Sequence, residues 1–107
     1  MSKVKFNQRD LSLPQVLRYT KWSPKYSGLP NLAGVYILAD KNGVVIYVGK
    51  AGAGRLNLES RSAMKVRGKG RGASLIRSLI TCSNQKAKSL ERYLIGKYKP
   101  RNNIYLK

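Results

Sequence analysis

Tyr36 and Tyr47 stand in two tripeptides, Gly34-Val35-Tyr36 and Tyr47-Val48-Gly49, with Asn42-Gly43 between them. Asn-Gly between apolar runs signals a two-residue hairpin turn in which both central residues take positive φ. That turn pairs Lys41 with Val44, Leu38 with Tyr47 and Tyr36 with Gly49. Side chains alternate faces along a strand, so Tyr36, Tyr47 and the space above Gly49 share one face. Two phenols then lie diagonally across a hairpin, beside a gap where a ligand could approach the backbone. A three-residue turn would flip one strand and separate them, so the expectation rests on register. The plainer alternative is a tyrosine pair packed in an ordinary core.

A carboxylate is the second anomaly. The spacing predicts a helix from about Gln85 to Lys99, capped by Ser83 or Asn84 and stopped by Pro100. At roughly 100° per residue, Ala87, Leu90, Leu94, Ile95 and Tyr98 form one apolar stripe with Glu91 in its middle. Lys86, Lys88, Ser89 and Arg92 take the flanks and back. A carboxylate on a buried face must be paired or bind a metal, and a structural salt bridge is the plainer outcome. Of the 4 acidic residues, Asp40 belongs to the hairpin turn, Asp10 to a polar N-terminus expected to be loose, and Glu59 to the next helix. A hard divalent cation must therefore lean on Glu91, and one carboxylate with waters and phosphate oxygens is a normal Mg²⁺ arrangement.

The elements that must position these groups follow from local signals. Leu13-Pro14 opens a short helix to about Lys21, and Trp22 to Leu32 is a loop leading into the first strand. Strands at about 34–40 and 43–49 carry apolar residues on both faces, which predicts a sheet covered on two sides. Ala51 to Gly54 is a connector, followed by a helix from Arg55 or Leu58 to Met64. Lys65 to Gly72 reads as a basic, glycine-rich loop. Leu75, Ile76, Leu79 and Ile80 fit a helix face, while Leu79 to Cys82 fits a third strand equally well.

Composition excludes several chemistries. A chain of 107 residues is one domain. It sets 22 Lys plus Arg against 4 Asp plus Glu, a net +18, which implies a polyanionic partner. No apolar run approaches the ~18 residues needed to span a membrane, and Met1-Ser2-Lys3-Val4-Lys5 lacks the apolar region of a signal peptide. A cytoplasmic setting is expected, in a bacterial cell or a phage-infected host, with no membrane partner. The single cysteine, Cys82, rules out an intramolecular disulfide and a cysteine zinc site, and is expected to be a small core residue. With no histidine, imidazole general-base chemistry is absent.

Leu29-Pro30 through Gly34-Val35-Tyr36, then Val45-Ile46-Tyr47-Val48-Gly49-Lys50-Ala51, then Glu91 with Leu94-Ile95, Tyr98, Pro100 and Asn103, resemble the GIY-YIG nuclease superfamily. The nearest flavour is the N-terminal nuclease module of the bacterial excision-repair endonuclease. The resemblance covers about residues 29–103. It implies an α/β (α+β) fold, a small three-stranded antiparallel sheet flanked by helices, with residues 1–28 as an N-terminal extension and 29–107 as the domain. It also implies an endonuclease that hydrolyses phosphodiester bonds in DNA with one Mg²⁺ (or Mn²⁺).

Roles follow from the same resemblance. Glu91 is the sole protein ligand of the metal. Tyr47 activates the attacking water, directly as general base or by way of a metal-bound hydroxide, and needs a cation-rich site because a free phenol is a poor base. Tyr36 orients the water or the scissile phosphate, and Lys50 adds positive charge. Gly34 and Gly49 belong to the motif, and Asn103 ties the chain end near the site, the plainer alternative being simple C-terminal capping. A helix arginine stabilises the transition state: Asn57-Leu58-Glu59-Ser60-Arg61 favours Arg61, and the shorter loop spacing favours Arg55. Many relatives carry a histidine or tyrosine one turn later, where this chain offers Glu59 or Lys65, leaving that role to a tyrosine from elsewhere (Tyr19, Tyr26 or Tyr93) or unfilled.

Lys65, Arg67, Lys69, Arg71 and Arg77, with Arg61, are expected to form a strip that grips a nucleic-acid backbone, the plainer alternative being a solvated loop. DNA, RNA and branched DNA all meet this chemistry. No sequence-reading module is evident, so specificity falls to substrate structure, a homodimer or a partner protein. The contrasting reading is a basic nucleic-acid-binding protein that keeps the fold as a scaffold without cutting. Glu91, Tyr47 and a metal requirement separate the two.

Overall fold

The computed structural model describes residues 4–23, 32–52, 54–65 and 67–106, without the side chains of residues 57, 60, 61, 64, 65, 67, 68 and 104–106. In chain order come a 3₁₀ turn (Gln8–Ser12), β1 (Arg18–Tyr19), β2 (Gly34–Ala39), β3 (Val45–Ala51), α1 (Leu56–Lys65), α2 (Arg67–Gly70), β4 (Leu75–Ile80), α3 (Asn84–Tyr98) and a C-terminal 3₁₀ turn (Arg101–Leu106). The sheet order is β1-β4-β2-β3, with every pair antiparallel. The three expected strands are therefore joined by a fourth, two residues long. The expected loop before β2 lies largely outside the described residues, as do Tyr26 and Leu29-Pro30.

Both sheet faces are covered, as the two-sided apolar strands require. On one face Val35, Ile37, Val45, Val48 and Leu79 pack under Ala87, Leu90, Leu94 and Tyr98 of α3. On the other, Tyr36, Leu38, Ile46, Tyr47, Ile76 and Ile80 pack under Leu56 and Ala63 of α1. Helix α3 starts where Ser83 caps it, its hydroxyl accepting from Lys86 N at 3.2 Å. It stops where Lys99 turns left-handed (φ 44°) and donates its N–H to Ile95 O, just before Pro100.

The hairpin reaches the expected register by a different route. Only Gly43 takes positive φ (84°) in the turn, and Gly43 N donates to Asp40 O at 3.0 Å. Asp40 N donates to Val44 O at 3.1 Å, so the loop holds three residues rather than two. The Asp40 carboxylate accepts from Asn42 N and Val44 N, which favours this tighter turn. Such a loop alone would have flipped β3. A bulge restores the register: Ala39 pairs with Val45 but Leu38 pairs with Tyr47, so Ile46 and Tyr47 fall on the same face. Tyr36 still pairs with Gly49.

Other expectations fail for identifiable reasons. Residues 13–21 form no helix: Leu17 N and Thr20 N donate instead to Ile80 O and Ser78 O, satisfying the outer edge of β4. From Val4 onward the N-terminal segment is not loose, since Val4 O accepts from Val45 N at 3.1 Å and Phe6 N donates to Gly43 O at 3.1 Å. Asp10 is buried, 2% exposed. Segment 75–80 is a strand; buried on both faces, its apolar residues occur at strand and helix spacings alike. The basic segment after α1 contains one helical turn rather than a plain loop. Cys82 is exposed, because β4 has ended two residues earlier.

Candidate active site

Strands β2 and β3 deliver Tyr36 and Tyr47 to the α1 face, their rings stacked at 6.1 Å between centroids and 28° between planes. The gap expected above Gly49 is filled: a Cβ built there would run into the Tyr36 ring. Glycine is needed so that this phenol can lie over the strand. Gly34 is equally constrained, since a Cβ would sit 2.6 Å from Leu79 O and 3.1 Å from Leu56 Cδ2. Asn103 explains how the edge strand is held. Its side chain accepts from Val48 N and donates to Val48 O, both at 2.8 Å, copying a missing strand partner between Tyr47 and Gly49.

The electrostatics of the three central groups share one sign. Burial raises the Tyr36 phenol far above its usual value, helped by the Tyr47 and Glu59 charges, a hydrogen bond to Tyr47, and Glu91. Burial also raises Tyr47; the hydrogen bond it accepts from Tyr36 pulls it down, while Glu91 and Glu59 push it up. Glu91, half-buried on α3, is raised by burial against the opposing pull of Lys50 and then Arg92. Among the described residues no ion pair reaches Glu91; the two present are Arg55–Glu59 and Lys97–Asp10. The expected structural salt bridge is therefore not found among the described residues. Burial works against the charged form of all three groups, and among the described residues no cation forms an ion pair with Glu91 in a chain of net +18. A divalent cation on Glu91 fits that shortage.

The remaining candidates divide clearly. Lys50 is exposed beside Gly49 and acts on Glu91. Lys69 leaves the presumed strip and joins the site, its ammonium 6.0 Å from the Tyr47 ring centroid. Arg55 pairs with Glu59 at 3.0 Å, while Arg61 lies on α1 with its side chain outside the description, as do those of Lys65 and Arg67. Arg71 is exposed. Arg77 is a correction: it is 6% exposed, lies 5.0–5.8 Å from the rings of Phe6, Tyr19 and Trp22, and donates Nε–H to Thr20 O at 2.8 Å. A guanidinium enclosed there cannot meet a phosphate backbone. Tyr19 packs on Arg77 and Tyr93 on Lys97, and both rings stay exposed. Sequence reasoning missed Arg92 as a neighbour of the site, whereas Glu59, read there as the residue one turn after Arg55, does act on both phenols.

A family model described as the UvrC-like GIY-YIG domain matches residues 32–104. The chain belongs to the UvrC-like GIY-YIG family. UvrABC system protein C of Oenococcus oeni is 39% identical over 89 residues, 78% of this chain and 14% of the relative. The protein of the same name from Lactobacillus helveticus is 44% identical over 85 residues, 74% of this chain and 14% of the relative. The chain thus spans about one seventh of the length of these curated relatives. Among solved structures, the GIY-YIG N-terminal endonuclease domain of UvrC from Thermotoga maritima, bound to magnesium as its catalytic divalent cation, superposes with a TM-score of 0.59 at 33% identity. It covers 70% of this chain and 86% of its own. A Tyr-to-Phe variant of that domain, also bound to its catalytic divalent cation, gives a TM-score of 0.59 at 32% identity over the same shares of both chains. The GIY-YIG sheet of this chain carries the extra two-residue edge strand β1.

Proposed function

We propose that this GIY-YIG chain is a metal-dependent DNA endonuclease that uses one Mg²⁺ or Mn²⁺ and a tyrosine-activated water, acting in the bacterial cytoplasm. The carrying observation is Glu91: a half-buried carboxylate with no ion-pair partner among the described residues, in electrostatic reach of two phenols. The divalent cation bound by the Thermotoga relative supports the same reading. Held by Glu91, a divalent cation supplies Lewis-acid polarisation of the phosphate and charge neutralisation at the leaving oxygen.

The chain's own residues do the rest. Tyr47 Oη, once deprotonated to the phenolate in the cation-bearing site, takes the proton of the attacking water and becomes the phenol, and Tyr36, donating to Tyr47 Oη, keeps it aimed. Arg61 or Arg55 offsets charge building on the phosphate. Lys50 draws the scissile phosphate toward Glu91. Asn103 fixes the strand that carries Tyr47, so the geometry is set before DNA arrives. The exposed cations around the site grip the backbone without reading bases.

The test is incubation of the purified chain with supercoiled plasmid and with linear and branched oligonucleotides, under Mg²⁺, Mn²⁺ or chelator, with Glu91→Gln alongside. Cleavage that needs metal and disappears in Glu91→Gln is the expected result. Tight binding with no cutting on any substrate would overturn it in favour of a non-catalytic scaffold.

A further inference from the structure

Two adjacent asparagines in the C-terminal 3₁₀ turn reach in different directions. Asn103 holds both backbone groups of Val48, next to Tyr47. Asn102 Nδ2 donates to Lys69 O at 2.8 Å and to Arg71 O at 3.2 Å. Lys69 Nζ in turn lies 6.0 Å from the Tyr47 ring centroid. One short turn therefore fixes both the ring and the backbone from which the ammonium extends over it. Without that brace the segment would be poorly held, since α2 is only four residues long and Gly72 beyond it is left-handed (φ 88°). Lys69 is half-buried here, whereas Arg71 and Gly72 are exposed.

We propose that Lys69 is a positioning residue of the cleavage site, acting through Tyr47, and that Asn102 is the brace that keeps it there. The proposal rests on the nuclease reading. A cation over an aromatic ring is attracted to its electron-rich face. Tyr47 can take up a proton only as the phenolate, and an ammonium held beside the ring favours that electron-rich form over the neutral phenol. A larger fraction of chains carrying the active base raises the saturated rate rather than the affinity. A lysine that merely grips phosphate does the reverse: it sets affinity and the salt dependence of binding.

Single-turnover cleavage at saturating DNA, and binding across a salt series, distinguish these roles in the full chain. Lys69→Met lowers the saturated rate about tenfold, with affinity within about threefold and an unchanged salt slope. Lys69→Arg restores most of the rate. Asn102→Ala changes no charge yet lowers the rate in the same direction, and combining it with Lys69→Met adds little further loss. The proposal is overturned if Lys69→Met leaves the saturated rate intact, whether or not its salt slope flattens. It is overturned equally if a folded Asn102→Ala cuts like wild type. Lys69→Met alters a half-exposed side chain and leaves the brace in place, so it decides the matter even where Asn102→Ala does not fold. A wild-type chain that cuts nothing sinks the nuclease reading and this proposal together, whereas wild-type cleavage with an unaltered Lys69→Met sinks only this one.

Discussion

Helix α3 carries two tyrosine–carboxylate clusters built from the same ingredients and finished differently. At its C-terminal end, buried Asp10 accepts from Lys97 Nζ at 2.9 Å on each oxygen and from the Tyr98 hydroxyl, and that hydroxyl accepts from Asn7 N at 2.8 Å. Every group is matched. In the middle of the same helix, Glu91 and the phenols of Tyr36 and Tyr47 share a neighbourhood in which burial opposes charge on all three. A chain with 22 basic residues and 4 acidic ones has cations to spare, yet among the described residues none forms an ion pair with Glu91. A closed network stabilises the fold; an open one leaves coordination for a ligand.

Exchanging the acids breaks this comparison most sharply. Glu91→Gln is expected to cut cleavage by about 1000-fold or more while leaving stability equal or higher. The sign follows from the raised carboxyl: it ionises less readily in the folded chain than in the unfolded one. Ionisation as pH climbs through the carboxylate range therefore costs stability, and Gln removes the cost at pH 7. Thermal melts with and without Mg²⁺ should also show a metal-induced gain in wild type and none in Glu91→Gln. Asp10→Ala is the mirror image. It should cost about 2–3 kcal/mol, roughly 10–20 °C in Tm, with the cleavage rate per folded molecule unchanged. If Glu91→Gln destabilises like Asp10→Ala, Glu91 is structural and the contrast disappears.

The two hydroxyls sharpen the contrast at smaller amplitude. Tyr47→Phe should slow cleavage about 100-fold with the melting point nearly unmoved, since only an acceptor for Tyr36 is lost. Tyr98→Phe should cost about 1–2 kcal/mol, because Asp10 loses a donor and Asn7 N an acceptor, and should leave the rate of the folded enzyme alone. Rates measured under conditions where both variants are folded decide between the roles.

The open cluster was largely legible in the sequence and the closed one was not, for a physical reason. Tyr36, Tyr47 and Glu91 announce themselves through short-range patterns: a hairpin register, and a charge within a helical apolar stripe. Ser83 and Pro100 bound α3 by equally local chemistry. The register survived only because the Ile46 bulge compensates the three-residue turn, and neither apolar strand face signals a bulge. Asp10 meets Lys97 and Tyr98 across 87 and 88 residues, a separation no local pattern spans. β1 is two residues long and is made by the free edge of β4 rather than by its own propensity. Arg77 looked like one more member of a basic run because Phe6, Tyr19 and Trp22 reach it only through the fold.

Arg77 and Arg71 extend the comparison to the cations, with the smallest expected effect. Arg71 is exposed, whereas Arg77 is 6% exposed and buries an NH1 without a hydrogen-bond partner. Each phosphate neutralised by a protein cation contributes about 0.9 to the salt slope of binding to duplex DNA. Arg71→Ala should flatten that slope by about this amount and weaken binding uniformly across sequences. Arg77→Met retains an unbranched stem among the three rings and removes an unmatched buried donor, so affinity and slope should match wild type. Binding isotherms on one duplex across a salt series provide the measurement. Equal slopes for the two variants would mean that the Arg77 guanidinium leaves its aromatic enclosure when DNA binds, so that burial in the free chain no longer separates structural cations from working ones.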